Sequence, residues 1–201
     1  MWPSAVCAPS DRGLGMHRLL AGDTAGAFTA RLAHLSALAK VGGMTLTIRL
    51  ATVTDAPAMC LLINRIIAIG GTTAFRDPFD DAMMRDQIIA PPGAICCHLA
   101  QDAQGLAGFQ ALFTADPAWD GPDPLGPDWG LIGTYVAAGR QGQGIGKSMF
   151  AATKAAARAA GITRLDATIR RENTGGLAYY TAMGFVDWRA DANSLSKRFD
   201  L

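Results

Sequence analysis

Three features of the sequence predict a mixed α/β fold. Met44–Leu50 alternates apolar and polar residues, as a half-buried strand does. Residues 94–100 and 106–113 are apolar runs separated by Gln101-Asp102-Ala103-Gln104-Gly105, which reads as a β-hairpin with a polar turn. Residues 131–160 read as strand, glycine loop and alanine-rich helix. Strands therefore stand both before and between helices.

Taken in order, the first fifteen residues mix Pro, Gly and Ser without periodicity. Residues 24–40 read as a helix with Phe28, Leu32, Leu35 and Leu38 on one side, stopped by Gly42-Gly43. Met44 then opens the first strand pattern. The expected division is an N-terminal extension over 1–43 and a domain over 44–201, with Met44 the natural start of the domain. The extension is either a loosely attached arm, even a product of start-site misassignment, or a helix packed on the domain.

Thr54-Asp55-Ala56-Pro57 is a helix start, with a capping side chain and Pro in the first turn. That helix runs through Met59, Leu62, Ile63 and Ile66 to Gly70-Gly71. Asp77-Pro78 opens a shorter helix that ends before Pro91-Pro92, and the hairpin follows. Residues 114–130 form a Pro/Gly-rich loop with Asp116, Asp120, Asp123 and Asp128 and no Lys or Arg. Such a long loop is either functional, drawing in a cationic ligand, or simply solvated. After it come a strand over 131–137, a glycine loop over 139–146 and a helix to Ala160. A strand over 164–169, a helix over 174–183, a strand over 185–190 and a last strand close the chain.

Composition narrows the function classes. Half of the 201 residues are apolar, enough for a single core, and only 17% are charged. Eighteen basic residues against 17 acidic ones give a net charge of +1, which argues against nucleic acid as a partner. Sixteen of the acidic residues are Asp, and Glu172 is the single Glu. No apolar run reaches the ~18 residues that span a bilayer, and the N-terminus lacks the order of a secretory signal. A cytoplasmic protein with no membrane partner is expected. Cys7, Cys60, Cys96 and Cys97 show neither zinc-ligand nor disulfide-framework spacing and read as reduced packing residues. His17, His34 and His98 are scattered, so no metal site is expected.

Residues 136–148 carry the clearest chemistry. A strand feeds a glycine-rich turn that opens a helix, and the unpaired N–H groups at such a start form an anion site suited to phosphate. A P-loop needs Gly five residues before Gly146, where Gln141 stands. A Rossmann fingerprint from Gly142 needs Gly at position 147, which is Lys. What remains is Gln141-x-x-Gly144-x-Gly146, or, more plainly, a glycine-rich connection that ends in a helix cap.

Downstream, Asn173 is followed by Tyr180 seven residues later and then by Gly184-Phe185. Upstream, Ile48-Arg49-Leu50-Ala51-Thr52 precedes Asp55-Ala56. Together with the glycine loop, these stretches resemble the GCN5-related N-acetyltransferases (GNAT) over about residues 45–188. The resemblance implies a largely antiparallel mixed sheet flanked by helices and splayed between its fourth strand, 131–137, and its fifth, 164–169. Acetyl-CoA would lie in the split, as co-substrate and without a metal.

By the same resemblance, backbone groups of Thr134, Tyr135 and Val136 pair with the pantetheine arm and polarise the acetyl carbonyl. Gln141, Gly142, Gln143, Gly144, Ile145 and Gly146, with Lys147, hold the pyrophosphate. Asn173 reaches the pantetheine, and Tyr180 gives a proton to the departing thiolate; its plainer reading is a core aromatic. Tyr179 reads as structural. Related enzymes often carry a Glu base on the fourth strand, whereas Leu131-Ile132-Gly133-Thr134 has no ionisable group. Glu172 reads as a solvated partner of Arg170 and Arg171, which leaves water, Asp128 or no enzyme group to take the proton.

Asn64 and Gly71-Thr72-Thr73-Ala74-Phe75 resemble the branch that includes phosphinothricin and methionine sulfoximine acetyltransferases. There, Asn64, Thr72, Thr73, Phe75 and Arg76 would border the acceptor, with Arg76 facing a carboxylate or simply exposed beside Asp77. The activity implied is acetyl transfer to the primary amine of a small molecule, an amino acid or an analogue, by direct attack in a ternary complex. The alternatives are a non-catalytic acyl-CoA-binding module and an acetyltransferase of protein N-termini or lysines. The resemblance admits a homodimer.

Overall fold

Sheet structure begins upstream of Met44. In a computed structural model of the chain, which describes residues 36–41, 43–118 and 124–201, Ala37–Val41 forms strand β1 and hairpins onto strand β2, Met44–Leu50. Ala37 stands opposite Ile48 and Lys40 opposite Thr45, and Gly43 turns the corner at φ 81°. The helix expected over 24–40 is therefore corrected at its end. The backbone edge of β2 offers unpaired N–H and C=O groups that a strand satisfies and a helix does not. Leu38, placed on the apolar side of that helix, is 75% exposed. Phe28, Leu32, Leu35 and the rest of residues 1–35 lie outside the described residues, and a boundary at Met44 falls inside this hairpin.

Helix α1, Ala56–Ile69, follows a single 3-10 turn at Val53–Asp55. The carboxylate of Asp55, expected to cap α1, turns back instead. It accepts the Thr52 N–H at 2.8 Å and both guanidinium ends of Arg49 at 2.8 and 2.6 Å. Those bonds, with Arg49 foremost, hold Asp55 down at about 2. The next helix, α2, spans Asp81–Met84 and continues as a π-helical turn over Arg85–Ile89. It starts later than Asp77-Pro78 because the Asp80 carboxylate captures the Met83 N–H at 2.8 Å.

The hairpin appears as strands β3, Ala94–Asp102, and β4, Gly105–Thr114. Strand β5, Trp129–Val136, helix α3, Ile145–Ala159, and strand β6, Arg164–Arg170, follow. Helix α4, Thr174–Ala182, and strands β7, Val186–Ala190, and β8, Ser194–Asp200, complete the chain.

The eight strands form one sheet in the order β1-β2-β3-β4-β5-β6-β8-β7. Every neighbouring pair is antiparallel except β5 and β6, which run parallel. Their pairing stops after Trp129–Leu131 meets Arg164–Asp166. Beyond that point the strands part, and the sheet opens between its two halves.

Helices cover both faces. Under α1 and α2 lie Leu99, Phe109, Ala111, Phe113 and Tyr135, packed against Met59, Ile63, Phe79, Met84 and Ile88. Each fully buried side chain of this size contributes about 1.5–3 kcal/mol. On the other face α3 packs on β3 and β4, with Met149 and Ile145 against Leu46, Ile48 and Ala100. Phe150, Leu112, Ile132, Leu165, Tyr180 and Phe185 form a third cluster. Cys60, Cys96 and Cys97 are buried free thiols; Cys96 and Cys97 fall in clusters on opposite faces of the sheet. Among the described residues no helix is long and apolar enough to cross a membrane, and no group of His, Cys, Asp or Glu side chains is placed to hold a metal ion.

Candidate active site

The glycine loop leaves β5 and delivers the chain into α3. Gly144, at φ 73°, is the N-cap, a left-handed position that side chains other than glycine adopt only under strain. Ser148 N–H makes the first bond inside the helix, to the Gly144 carbonyl at 3.0 Å. The amides of Ile145, Gly146 and Lys147 precede it and have no intrahelical acceptor. They point out of the positive end of a 15-residue helix, where an anion is held without a basic surface. Gln141 folds over the loop: its Oε1 accepts the Gly139 N–H at 2.9 Å and its Nε2 donates to the Val136 carbonyl at 3.4 Å. Gly146 also serves packing. A Cβ there would stand 2.7 Å from the Tyr179 ring, so α3 and α4 approach this closely only because position 146 is bare.

Beyond Leu131 the outer edge of β5 is open. Trp129 C=O and Ala137 N–H bond toward the β4 side. By strand alternation the N–H and C=O groups of Ile132, Thr134 and Val136 then face the split. The opening is a cleft of about 1020 Å³. Of the residues that the family resemblance marks, Thr134, Tyr135, Val136, Gln141, Gly142, Gly144, Ile145, Gly146, Lys147, Asn173 and Tyr180 line it; Gln143 does not.

At the base of the cleft a chain of polar groups is buried. Tyr180 Oη lies 3.0 Å from Thr134 Oγ1 and 3.5 Å from the Ile132 carbonyl. Gln110 Nε2 donates to Thr134 Oγ1 at 2.8 Å and to Tyr179 Oη at 3.3 Å. Burial, reinforced by the neighbouring Tyr179, pushes the Tyr180 hydroxyl well above 10; burial pushes Tyr179 up to about 12. Both phenols are therefore protonated donors at any physiological pH. Tyr179, read as structural, lines the cleft and packs edge-on against Tyr180 at 4.9 Å. Gln110 is absent from the sequence reading. Its signal is an amide in the middle of the otherwise apolar run 106–113.

The expected acceptor residues divide. Thr72, Thr73 and Arg76 line the cleft. Asn64 does not: its side-chain amide donates to the Phe79 carbonyl at 2.9 Å and accepts the Phe79 N–H at 2.7 Å, clamping the segment before α2 onto α1. Phe75 is buried against Phe79 and Tyr135, with ring centroids 4.8 and 6.3 Å away. Asn173 caps α4 by accepting the Gly176 N–H at 2.8 Å, and its Nδ2 donates to the Thr72 carbonyl, also at 2.8 Å. This bond straps the segment after α1 to the start of α4.

The lining holds two carboxylates. Glu172 is paired with Arg170 Nε at 2.6 Å. Asp191 accepts the Ser194 hydroxyl and the amides of Asn193 and Ser194, which hold it down at about 2. Asp128 is not in the lining; its partners are Thr163 and Arg164, and the Thr163 hydroxyl bond keeps it below the usual carboxylate range.

A ligand filling this cleft would need an anionic end at the α3 N-terminus, amide-like groups along the β5 edge and a reactive end beside Tyr180. Coenzyme A thioesters are built in that order, which defines the class as an acyl-CoA-dependent transferase. Residues 68–185, more than half the chain, match the model of the Acetyltransferase (GNAT) family. The chain belongs to that family and is an acetyl-CoA-dependent N-acetyltransferase. No curated protein matches it.

Solved structures share the fold. A GCN5-related N-acetyltransferase from Kribbella flavida is 22% identical, with a TM-score of 0.64 over 78% of this chain and 98% of that one. An acetyltransferase by assignment from Salmonella typhimurium, yncA, solved with its cofactor acetyl-CoA, is 16% identical (TM-score 0.62; 78% and 94% covered). A protein assigned as a phosphinothricin N-acetyltransferase is 21% identical (TM-score 0.59; 76% and 95% covered).

Proposed function

We propose that the enzyme acetylates the primary amine of a small molecule, an amino acid or an analogue, by direct attack on acetyl-CoA in a ternary complex. The observation that carries this reading is the strap from Asn173 Nδ2 to the Thr72 carbonyl. In this reading it ties the segment of Thr72, Thr73 and Arg76 to the start of α4 and narrows the acceptor side of the cleft, which favours a small acceptor over a peptide. Arg76 is a cation beside that wall and suits an acceptor carboxylate. A protein assigned as a phosphinothricin N-acetyltransferase is built on the same fold.

In this reading the amides at the start of α3 hold the pyrophosphate, and the β5 edge at Thr134 and Val136 pairs with the pantetheine. As the amine attacks the thioester carbonyl, the N–H donors of that edge meet the negative charge developing on oxygen, for a few kcal/mol. The carbon–sulfur bond breaks, and Tyr180 gives its proton to the departing sulfur. The attacking amine loses its proton to water. Glu172 and Asp191 are each committed to partners, and Asp128 lies outside the cleft.

Thiol release from acetyl-CoA, measured against a panel of amino acids, polyamines and peptides, tests the substrate class. The expected outcome is turnover with a free amino acid or analogue, weakened by Arg76→Ala mainly through KM. Turnover confined to peptides or polyamines would overturn it. With water as proton acceptor, kcat/KM should rise with pH along the ionisation of whichever amine is used, and the inflection should move when the amine is changed.

A further inference from the structure

Gln110 stands in the middle of β4, opposite Thr134 on β5 and His98 on β3, and it is fully buried. Its two N–H bonds go to hydroxyls, Thr134 Oγ1 and Tyr179 Oη, and its Oε1 has no hydrogen-bond partner among the described residues. The reversed amide would bury two unpaired N–H donors in place of one unpaired carbonyl, which is the costlier arrangement. A side-chain amide nitrogen only donates. Thr134 Oγ1 therefore accepts from Gln110, which leaves its own proton for a tyrosine hydroxyl, either Tyr180 Oη, 3.0 Å away, or Tyr179, which it also bonds. When Thr134 donates to Tyr180, the Tyr180 proton is turned out of the chain. Its remaining contact is the Ile132 carbonyl at 3.5 Å on the open edge of the cleft.

We infer that Gln110 is a positioning residue for acetyl transfer, fixing the donor direction Gln110 to Thr134 to Tyr180 so that the tyrosine presents its proton to the leaving sulfur. This rests on the proposed acid role of Tyr180. Replacing the amide with a carboxylate reverses the chain: Thr134 donates to the carboxylate, Tyr180 donates to Thr134, and the proton faces away from the cleft. A protonated carboxyl regains one O–H donor. The titratable groups facing position 110 are Tyr179 and Tyr180, with His98 across the β3–β4 pair; burial holds His98 neutral down to about 4. A carboxyl at this buried site is raised by several units, into an accessible range.

The experiment uses the full chain with acetyl-CoA and hydroxylamine, a small amine that fits any acceptor pocket, and follows thiol release at about pH 9 and about pH 6.5. Gln110→Met should turn over roughly tenfold slower than the wild type at both, with acetyl-CoA binding unchanged. Gln110→Glu should be slow at the higher pH and recover relative to the wild type at the lower one. Losses of less than about twofold in both variants, or a Gln110→Glu loss equal at the two pH values, overturn the inference. If Gln110→Glu does not fold, Thr134→Val carries the test. It should match Gln110→Met, and the double variant should lose no more than either single one; additive losses count against the relay. Tyr180→Phe in the same assay separates the two claims. If that change leaves turnover intact, the acid role itself fails; if it slows turnover while Gln110→Met does not, only the relay fails.

Discussion

The two faces of the central strands are built on opposite principles. Toward α1 and α2, alternate residues of β3, β4 and β5 present Leu99, Phe109, Ala111, Phe113 and Tyr135, an apolar set with nothing to titrate at neutral pH. Toward α3 and α4 the same strands present His98, Gln110 and Thr134 in one row, with Thr153 from α3 bonded to His98 Nδ1 at 3.1 Å. The first face holds the fold together by burial. The second gives up some of that stabilisation, including an unpartnered carbonyl at Gln110, and holds the polar chain that ends at Tyr180. Residues one position apart on β4 should therefore respond to substitution in opposite ways.

The largest effect is expected on the apolar face. Phe109→Ala should cost about 3–5 kcal/mol of unfolding free energy by urea titration. Gln110→Met, its neighbour, should leave stability unchanged or raised, because an apolar group of similar shape relieves the orphan carbonyl. Equal destabilisation by both would erase the distinction between the faces. Next in size is Gly146→Ala. The added Cβ meets the Tyr179 ring at 2.7 Å and forces α4 away from α3, costing about 1–3 kcal/mol. Calorimetric titration should also show weaker binding of acetyl-CoA.

The pH dependence comes from the polar face. Burial lowers His98 to about 4, against ~6.5 in the unfolded chain. Between those values the unfolded chain binds a proton that the folded one does not. Stability therefore falls as pH drops from ~6.5 toward ~4, by up to about 1.4 kcal/mol per unit, and is untouched above ~6.5. His98→Gln should flatten that slope in urea titrations at about pH 7 and about pH 5. Asp55 and Asp191, both held at about 2, contribute stability that is lost only below the ordinary carboxylate range. The smallest effect is expected at the strap. Asn173→Ala removes the Gly176 cap, for about 1 kcal/mol, and frees Thr72. KM for the acceptor should rise more than KM for acetyl-CoA.

The sequence made the β3–β4 hairpin and the strand–loop–helix legible because each is written in local chemistry: a polar turn between apolar runs, and glycines where the backbone must turn. Local chemistry also misled. Leu35 and Leu38 are spaced as on a helix, yet Ala37–Val41 answers to the open edge of β2, a non-local demand. Asp77-Pro78 looks like a helix start, but the start belongs to whichever carboxylate reaches an amide, and Asp80 does. At the site, the glycine loop from Gln141 to Gly146, Asn173 and Tyr180 are marked by the family resemblance, and all of them but Gln143 line the cleft. Asn64 and Phe75 are marked too and do not line it, since a resemblance gives a position along the chain and not which way a side chain turns. Gln110 carries no signal of a role in the sequence and Tyr179 only a structural one, because their part in the polar chain exists only once β4, β5 and α4 meet. The absence of Glu from the fourth strand is visible in the sequence, and among the described residues the carboxylates lining the cleft, Glu172 and Asp191, are bonded to other partners.

The central claim is that the polar face ends in a proton donor for the leaving sulfur. Single-turnover thiol release by Tyr180→Phe, with acetyl-CoA binding measured alongside, tests it most directly. The expected result is turnover lowered about a hundredfold with binding unchanged; turnover within about twofold of the wild type would contradict it.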